Sequence, residues 1–173
     1  MAGKGSNREE FSKAYLEYFP LVFNAVYTKV SDKDIAGDIS QEVFVLLYQK
    51  FGEIENIRKW LHGTLRYVVM QYYEKNSREV VDIDSVFQDV SLTFVNGFRE
   101  SRIIINEAID NIAISEEERL IFDYIAVSKY SQNNVGRIMG LSRRQVGYRY
   151  WSIVKRILDY LKQKGIDNIG DLL

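Results

Sequence analysis

Five residues near the C-terminus have the types and spacing of a surface that reads DNA. They are the first exposed positions of a predicted helix: Arg143, Arg144, Gln145, Tyr148 and Arg149. Arginine can donate two hydrogen bonds to guanine, and glutamine can pair with adenine; the alternative role of Gln145 is in the helix cap. Ser142 is expected to begin this helix, because a serine followed three positions later by glutamine forms a capping box. The predicted chemistry is hydrogen bonding to base edges and phosphates.

The segment that must position these residues, 131–156, has the pattern of two helices separated by a tight turn at Gly140-Leu141-Ser142. A helix-turn-helix has this arrangement and places the start of its second helix in the DNA major groove. An ordinary helical hairpin with a solvated basic face has the same pattern, and the motif alone does not separate the two. The residues expected to form its small core are Val135, Ile138, Met139, Leu141 and Val146.

The charge of the chain is unevenly distributed. The net charge is −1, but residues 129–164 hold 9 Lys or Arg against the single acid Asp159, whereas residues 1–100 hold 12 Lys or Arg and 15 Asp or Glu. A phosphate group responds to the local field rather than to the total charge. The basic run coincides with the predicted DNA-reading helix, which favours nucleic-acid binding over a merely solvated face.

Catalytic chemistry is poorly represented. The single histidine, His62, has no acid at helical spacing to orient it, and no glycine-rich phosphate loop or metal-ligand cluster is present. Asp34, Asp38 and Glu42 fall on one helix face, but side chains one turn apart on a straight helix do not converge on one ion. We therefore expect a protein that is not an enzyme and needs no cofactor.

Composition predicts a soluble, cytoplasmic protein without membrane insertion. The hydrophobic fraction is 46% and the charged fraction 27%, as in ordinary globular proteins. The first ten residues lack the apolar core of a signal peptide, and no apolar run approaches the length that spans a membrane. The absence of cysteine excludes a disulfide framework and fits a reducing compartment.

Helical periodicity dominates the chain and predicts an all-α protein with two small helical domains. The first helix should run from about 8 to 30, with a kink or break at Pro20. Ser31 is expected to cap the second helix, and Asn56 the third, which should end near Asn76. The predicted organisation is a domain over 1–76, a linker over 77–101 that could hold a short strand or helix, a second domain over 102–165 and a tail over 166–173.

The stretch Ala36-Gly37-Asp38-Ile39-Ser40-Gln41-Glu42-Val43-Phe44 resembles the A-x-D-x-x-Q-E-x-F signature of region two in bacterial RNA polymerase sigma factors, especially the extracytoplasmic-function group. The resemblance implies that this helix docks on core RNA polymerase through Asp38, Gln41, Glu42 and Phe44. On the residues themselves, Asp38, Gln41 and Glu42 should share an exposed face that can pair with basic groups, with Ile39 and Val43 behind it.

The third predicted helix is similar to the segment with which those factors melt and read the minus-ten promoter element. Aromatic and basic side chains suit that task, because every base offers a face for stacking. Trp60 and Tyr72 are expected in the core. The residues that the resemblance assigns to the melted strand are Arg58, Lys59, Arg66, Tyr67, Gln71 and Lys75. The family often has Asn at position 67 and Asp at position 71.

The C-terminal half resembles region four of the same family. Gly136 stands where a small residue lets the two helices approach, and Asn134 replaces the usual Glu. The resemblance implies that Arg143, Arg144, Gln145, Tyr148 and Arg149 contact the minus-thirty-five element of promoter DNA. A dedicated anti-sigma factor is a typical further partner in this family.

The predicted function is that of a transcription initiation factor that binds core RNA polymerase and directs it to promoters. The motifs occur in the family's order, with a linker between them. One alternative is a sigma-like mimic that sequesters an anti-sigma factor without reading DNA. Another is a stand-alone helix-turn-helix regulator that binds duplex DNA as a dimer, which leaves the signature at 38–44 unexplained.

Overall fold

The structure is a computed structural model that describes residues 3–76 and 82–173, and these residues form an all-helical fold without strands. The all-α prediction is confirmed. None of the described helices is both long and apolar enough to cross a membrane. Residues 3–76 and 82–173 contain eight α-helices: α1 (Gly3–Val30), α2 (Lys33–Lys50), α3 (Ile57–Asn76), α4 (Ile83–Val95), α5 (Arg99–Asn111), α6 (Glu116–Phe122), α7 (Gln132–Met139) and α8 (Arg143–Gln163).

The first three helices lie close to their predicted positions. Helix α1 passes through Pro20 as one unbroken helix, so the predicted break is absent. Asn56 caps α3 as expected, with its Oδ1 accepting from the Lys59 backbone N at 2.9 Å. The predicted cap at Ser31 is wrong. Ser31 has a φ of 58°, and Asp32 caps α2 instead by accepting from Asp34 N at 2.9 Å.

Helix α4 occupies most of the predicted linker. Asp82 caps it through a bond from the Ser85 backbone N, and the chain turns at Asn96-Gly97 as the sequence indicated. Every residue from 89 to 96 is buried. The buried half of α4 includes the polar residues Asp89, Ser91 and Thr93, so polarity in the sequence does not mark the outer face of this helix. Residues 77–81 of the predicted linker lie outside the described residues.

The core is continuous along the chain. Helix α4 packs on α1 and α3, and it also contacts α8, the π-helical turn Asp123–Val127 and the 3₁₀ turn Ile169–Leu172. Buried apolar residues from all eight helices belong to one hydrophobic cluster. The predicted domain boundary therefore crosses a packed core rather than separating two independent ones.

A buried ion pair fixes α4 to the end of α1. The Lys29 Nζ contacts the Asp89 Oδ2, and the two side chains are only 15% and 6% exposed. Burial raises the pKa of Asp89, whereas the Lys29 ammonium opposes that rise. Tyr150 of α8 is buried nearby, and burial together with the Asp89 carboxylate raises its pKa.

The tail predicted over 166–173 returns to the core. Asn168 caps the 3₁₀ turn, and Gly170 is buried beside the His62 ring of α3. The Ser101 Oγ of α5 donates to the Leu172 carbonyl oxygen at 2.8 Å. The tail therefore ties the end of α8 to α3, α4 and α5.

His62 makes stability depend on pH. Its ring is 8% exposed, and burial, with a smaller effect from the Arg66 charge, lowers its pKa from 6.5 to about 4. As pH falls below 6.5 the unfolded chain binds the proton first, so stability present above pH 6.5 is lost as pH falls toward 4. We expect the free energy of unfolding to drop by about 2 kcal/mol between neutral pH and pH 5 from this residue.

Urea unfolding of the wild type and of His62→Leu at both pH values measures this contribution, because the variant keeps every other titrating group. The free energy of unfolding of the variant should fall by about 2 kcal/mol less than that of the wild type over the same pH interval. Equal losses in the two proteins would contradict a buried, neutral His62.

Candidate nucleic-acid and protein-binding surfaces

The start of α8 has the predicted cap. Gly140 ends α7 in the left-handed conformation with a φ of 68°. The Gln145 N donates to the Ser142 Oγ at 3.2 Å, and the Ser142 N donates to the Gln145 Oε1 at 2.9 Å. The Ser142 hydroxyl also donates to Gln145 Oε1 at 2.8 Å. The side-chain oxygen of Gln145 is thus held in the cap, which makes this residue a structural element of the turn.

Helix α7 approaches the turn closely at Gly136. A Cβ on Gly136 would lie 2.5 Å from the Leu141 carbonyl oxygen. Val135 and Val146 are fully buried as predicted, but Ile138 is 54% exposed, so its predicted place in the core is wrong. Successive helical residues are rotated by about 100°, and Ile138 falls outside the buried arc that contains Val135, Gly136 and Met139.

The cations of α8 differ in how they are held. Arg149 pairs with Glu117 of α6, with a distance of 2.5 Å between Nη1 and Oε2. Arg143 and Arg144 are exposed, and neither forms an ion pair within the described part of the chain. Tyr148 is 76% exposed. The available polar surface at this end of α8 therefore consists of Arg143, Arg144 and Tyr148.

These three residues border a groove of about 800 Å³ between α8 and the start of α4. The groove contains charges of both signs, because Asp82 and the Lys29–Asp89 pair line it together with Arg143 and Arg144. Trp151 also lines it. Arg143, Arg144 and Tyr148 remain exposed in this groove, and the start of α4 forms its opposite wall.

Helix α2 presents the predicted acidic face. Asp38, Gln41 and Glu42 are exposed, with Ile39 and Val43 buried behind them. Phe44 does not belong to this face. It is 3% exposed, and its ring packs against Tyr15 and Phe19 of α1 at centroid distances of 4.9 Å and 5.5 Å. Its predicted contact with a partner is therefore not available in this structure.

The exposed face of α2 continues beyond the acids. Val45 is 56% exposed and Tyr48 is 62% exposed. The residues on this side succeed one another at intervals of four, three and three residues, in the order Asp38, Glu42, Val45 and Tyr48. This spacing keeps them on one side of the helix. We did not identify them from the sequence, although their spacing could have indicated them. The exposed face of α2 thus combines an acidic half with an apolar half.

The residues predicted to contact melted DNA on α3 are divided between two environments. Lys59, Arg66, Tyr67 and Lys75 are exposed. Arg58 is half-buried, with its guanidinium 4.7 Å from the Phe98 ring centroid. Its bond with the Tyr18 hydroxyl raises the pKa of Arg58. Arg58 therefore joins α3 to α1 and to the segment before α5, and its side chain is not free for a nucleic acid.

Two of the exposed side chains on α3 are held in place. The Gln71 Nε2 donates to the Tyr67 hydroxyl at 2.5 Å, although Tyr67 is 57% exposed. The Arg66 guanidinium lies 4.4 Å from the Phe87 ring centroid of α4, within the range of a cation–π contact. Gln71 and Lys75 also face Asp38 and Glu42 across a groove of about 230 Å³ between α2 and α3. Residues predicted to bind polymerase and residues predicted to bind melted DNA therefore line the same groove.

Comparison with protein-family models finds no family that matches the chain, and no curated protein matches its sequence. The resemblance to sigma factors rests on the residues themselves.

The close contact at Gly136 predicts the effect of a single methyl group. Gly136→Ala should lower the free energy of unfolding by about 1–3 kcal/mol, because a backbone oxygen must move to admit the Cβ. Gly63→Ala is the matched control, since a Cβ on this helical glycine meets nothing within 4 Å. The free energy of unfolding of Gly63→Ala should rise by up to about 1 kcal/mol, because alanine has a higher helix propensity than glycine. Thermal or urea unfolding measures both, and a neutral Gly136→Ala would contradict the close approach.

Proposed function

We propose that this chain is a transcription initiation factor that binds core RNA polymerase and directs it to specific promoters. The observation that carries the proposal is the exposure of Asp38, Gln41 and Glu42 on one face of α2. These residues fit the sigma-factor signature at its fixed offsets, and Ile39 and Val43 support them from behind. A carboxylate-rich face is suited to basic groups on a partner protein.

Polymerase binding is assigned to the whole exposed side of α2. Asp38 and Glu42 would pair with cations of the polymerase, and Val45 and Tyr48 would cover an apolar segment next to those cations. An aromatic residue surrounded by well-packed neighbours is a common centre of binding energy. The proposed partner surface is therefore a helix with basic residues at one end and apolar residues at the other.

Promoter contacts are assigned to α3 and to the start of α8. Lys59, Tyr67 and Lys75 present cationic and aromatic groups of the kind that hold an unpaired strand. Arg143 and Arg144 would contact base edges or phosphates of the upstream element, because their guanidinium groups are exposed and unpaired among the described residues. Gln145 and Arg149 would support this surface from the cap and from the ion pair with Glu117.

The acidic face of α2 should determine affinity for the polymerase. The double variant Asp38→Arg with Glu42→Arg should bind core polymerase at least about tenfold more weakly, because like charges would then face each other. Glu53→Arg with Glu55→Arg makes the same change in net charge at exposed acids outside this face. Fluorescence anisotropy with purified core enzyme measures both affinities. Equal weakening in the two variants would indicate a general effect of charge.

In vitro transcription with core polymerase across fragmented genomic DNA tests the function itself. We expect discrete start sites that depend on the added chain. Arg143→Ala with Arg144→Ala should lower transcription from those sites about tenfold or more, while polymerase affinity stays unchanged. Lys162→Ala with Lys164→Ala removes the same charge from the far end of α8 and should retain activity. Polymerase binding without any promoter-specific start would support a mimic of a sigma factor instead.

A further inference from the structure

We propose that Gln132 of α7, rather than Gln145 of α8, is the glutamine that reads DNA, and that it does so through the space left by Gly147. This inference rests on the proposed function and adds a residue that determines its specificity. The sequence predicted contacts with the upstream element from α8 alone. The structure brings a side chain of the preceding helix to the same surface, where Gln132, Gly147, Arg143 and Arg144 border one groove.

The side-chain amide of Gln132 lies where a side chain at position 147 would begin. A Cβ on Gly147 would be 3.0 Å from the Gln132 Oε1, 3.6 Å from its Cδ and 3.8 Å from its Nε2. These three atoms are the nearest heavy atoms to that position beyond the local helix backbone and the chain neighbours. Gly147 follows Arg143 and Arg144 by four and three positions, so it shares their side of α8. Gln132 therefore supplies a polar group where α8 itself has no side chain.

The position of Gln132 is fixed by the start of α7. Ser131 is buried and caps this helix, with its Oγ accepting from the Asn134 backbone N at 3.3 Å. Gln132 is the first residue of α7. In a helix-turn-helix the second helix enters the major groove while the first crosses the DNA backbone. Because Gln132 contacts α8 at Gly147, a duplex that received the start of α8 would also meet the Gln132 amide.

Hydrogen bonding distinguishes the two glutamines. A glutamine reads adenine with both ends of its amide, because the oxygen accepts from the N6 amino group and the nitrogen donates to N7. The Gln145 Oε1 already accepts from the Ser142 N at 2.9 Å and from the Ser142 Oγ at 2.8 Å. The Gln132 amide forms no hydrogen bond within the described residues. Gln132 therefore has both its donor and its acceptor available for a base edge.

The groups around Gln132 suit base reading. Arg143 and Arg144 are exposed beside it and can hold phosphates or a guanine edge, which would set the register of the duplex. The Gln132 side chain is half-buried against Gly147, so binding would immobilise it at a lower entropic cost than a fully exposed side chain. The expected upstream element therefore contains an A·T pair next to the groups that the two arginines contact.

Selection from randomised promoters measures this reading directly. Core polymerase with the full chain is mixed with a promoter that wild-type transcription has identified and whose upstream element is randomised, and the bound DNA is sequenced. We expect the wild type to prefer adenine at one position by at least about fivefold. Gln132→Ala should remove that preference and retain the others. Asn133→Ala, which removes an exposed amide from the next residue of α7, should retain all of them.

Two further variants separate base reading from folding. Gln132→Arg should change the preferred base at that position from adenine to guanine, because arginine donates two hydrogen bonds to guanine. A misfolded chain cannot produce such a change. Gly147→Ala retains Gln132 but places a methyl group against its amide. It should weaken the adenine preference without lowering the temperature of thermal unfolding, since alanine favours the helix and the amide is the flexible end of a side chain.

The other outcomes separate this inference from the proposed function. Unchanged base preferences in Gln132→Ala would overturn the inference, while promoter-directed transcription by the wild type would stand. A uniform loss of affinity with every preference retained would also overturn it, because that result indicates a phosphate contact. A full adenine preference in Gly147→Ala would overturn the role of the space at Gly147. Failure of the wild type to direct polymerase to any promoter would instead overturn the proposed function.

Discussion

The rest of the structure depends on the buried ion pair between Lys29 and Asp89. Removing a carboxylate from water costs several kcal/mol unless an opposite charge lies against it. Asp89 is 5% exposed, so its position on α4 is compatible only with a register that brings it to the last turn of α1. In that register Val86 and Val90 lie in the core, and Asp89 lies close to the buried Tyr150 of α8. A single charged contact thereby sets how the N-terminal helices meet the C-terminal ones.

Local signals predicted the helices and most of their caps, because a cap depends on residues three or four positions apart. Ser142 with Gln145 forms the expected capping box, and Asn56 caps α3 as expected by accepting from Lys59 N. The exposed acids of α2 followed from helical spacing in the same way. These features need no knowledge of distant residues, and so the sequence alone was sufficient for them.

The Ser31 cap and the break at Pro20 were local errors, whereas the other differences concern contacts between residues far apart in the sequence. Helix α4 buries the polar residues Asp89, Ser91 and Thr93 against neighbours from both halves of the chain, which its sequence does not indicate. Phe44 matched a signature position, yet the rings of Tyr15 and Phe19 hold it in the core. Arg149 had the spacing of a DNA contact but pairs with Glu117, 32 positions earlier in the chain. Periodicity indicates which side of a helix is polar, but it does not indicate which of those polar groups already have partners.

The ion pairs between α6 and α8 also limit how strongly the chain could bind DNA without a partner. The basic run over 129–164 suggests a strong electrostatic site, but Glu117 and Glu118 of α6 neutralise Arg149 and Arg156. If only Arg143 and Arg144 reach phosphates, the dependence of affinity on salt corresponds to about two released counterions, far below that of a tight independent binder. Promoter affinity would then come from the polymerase, which holds the chain near DNA at a high effective concentration. Under the proposed function, the ion pairs of α6 would favour a factor that reads DNA only in a complex, and the face of α2 would then be as necessary for DNA recognition as the start of α8.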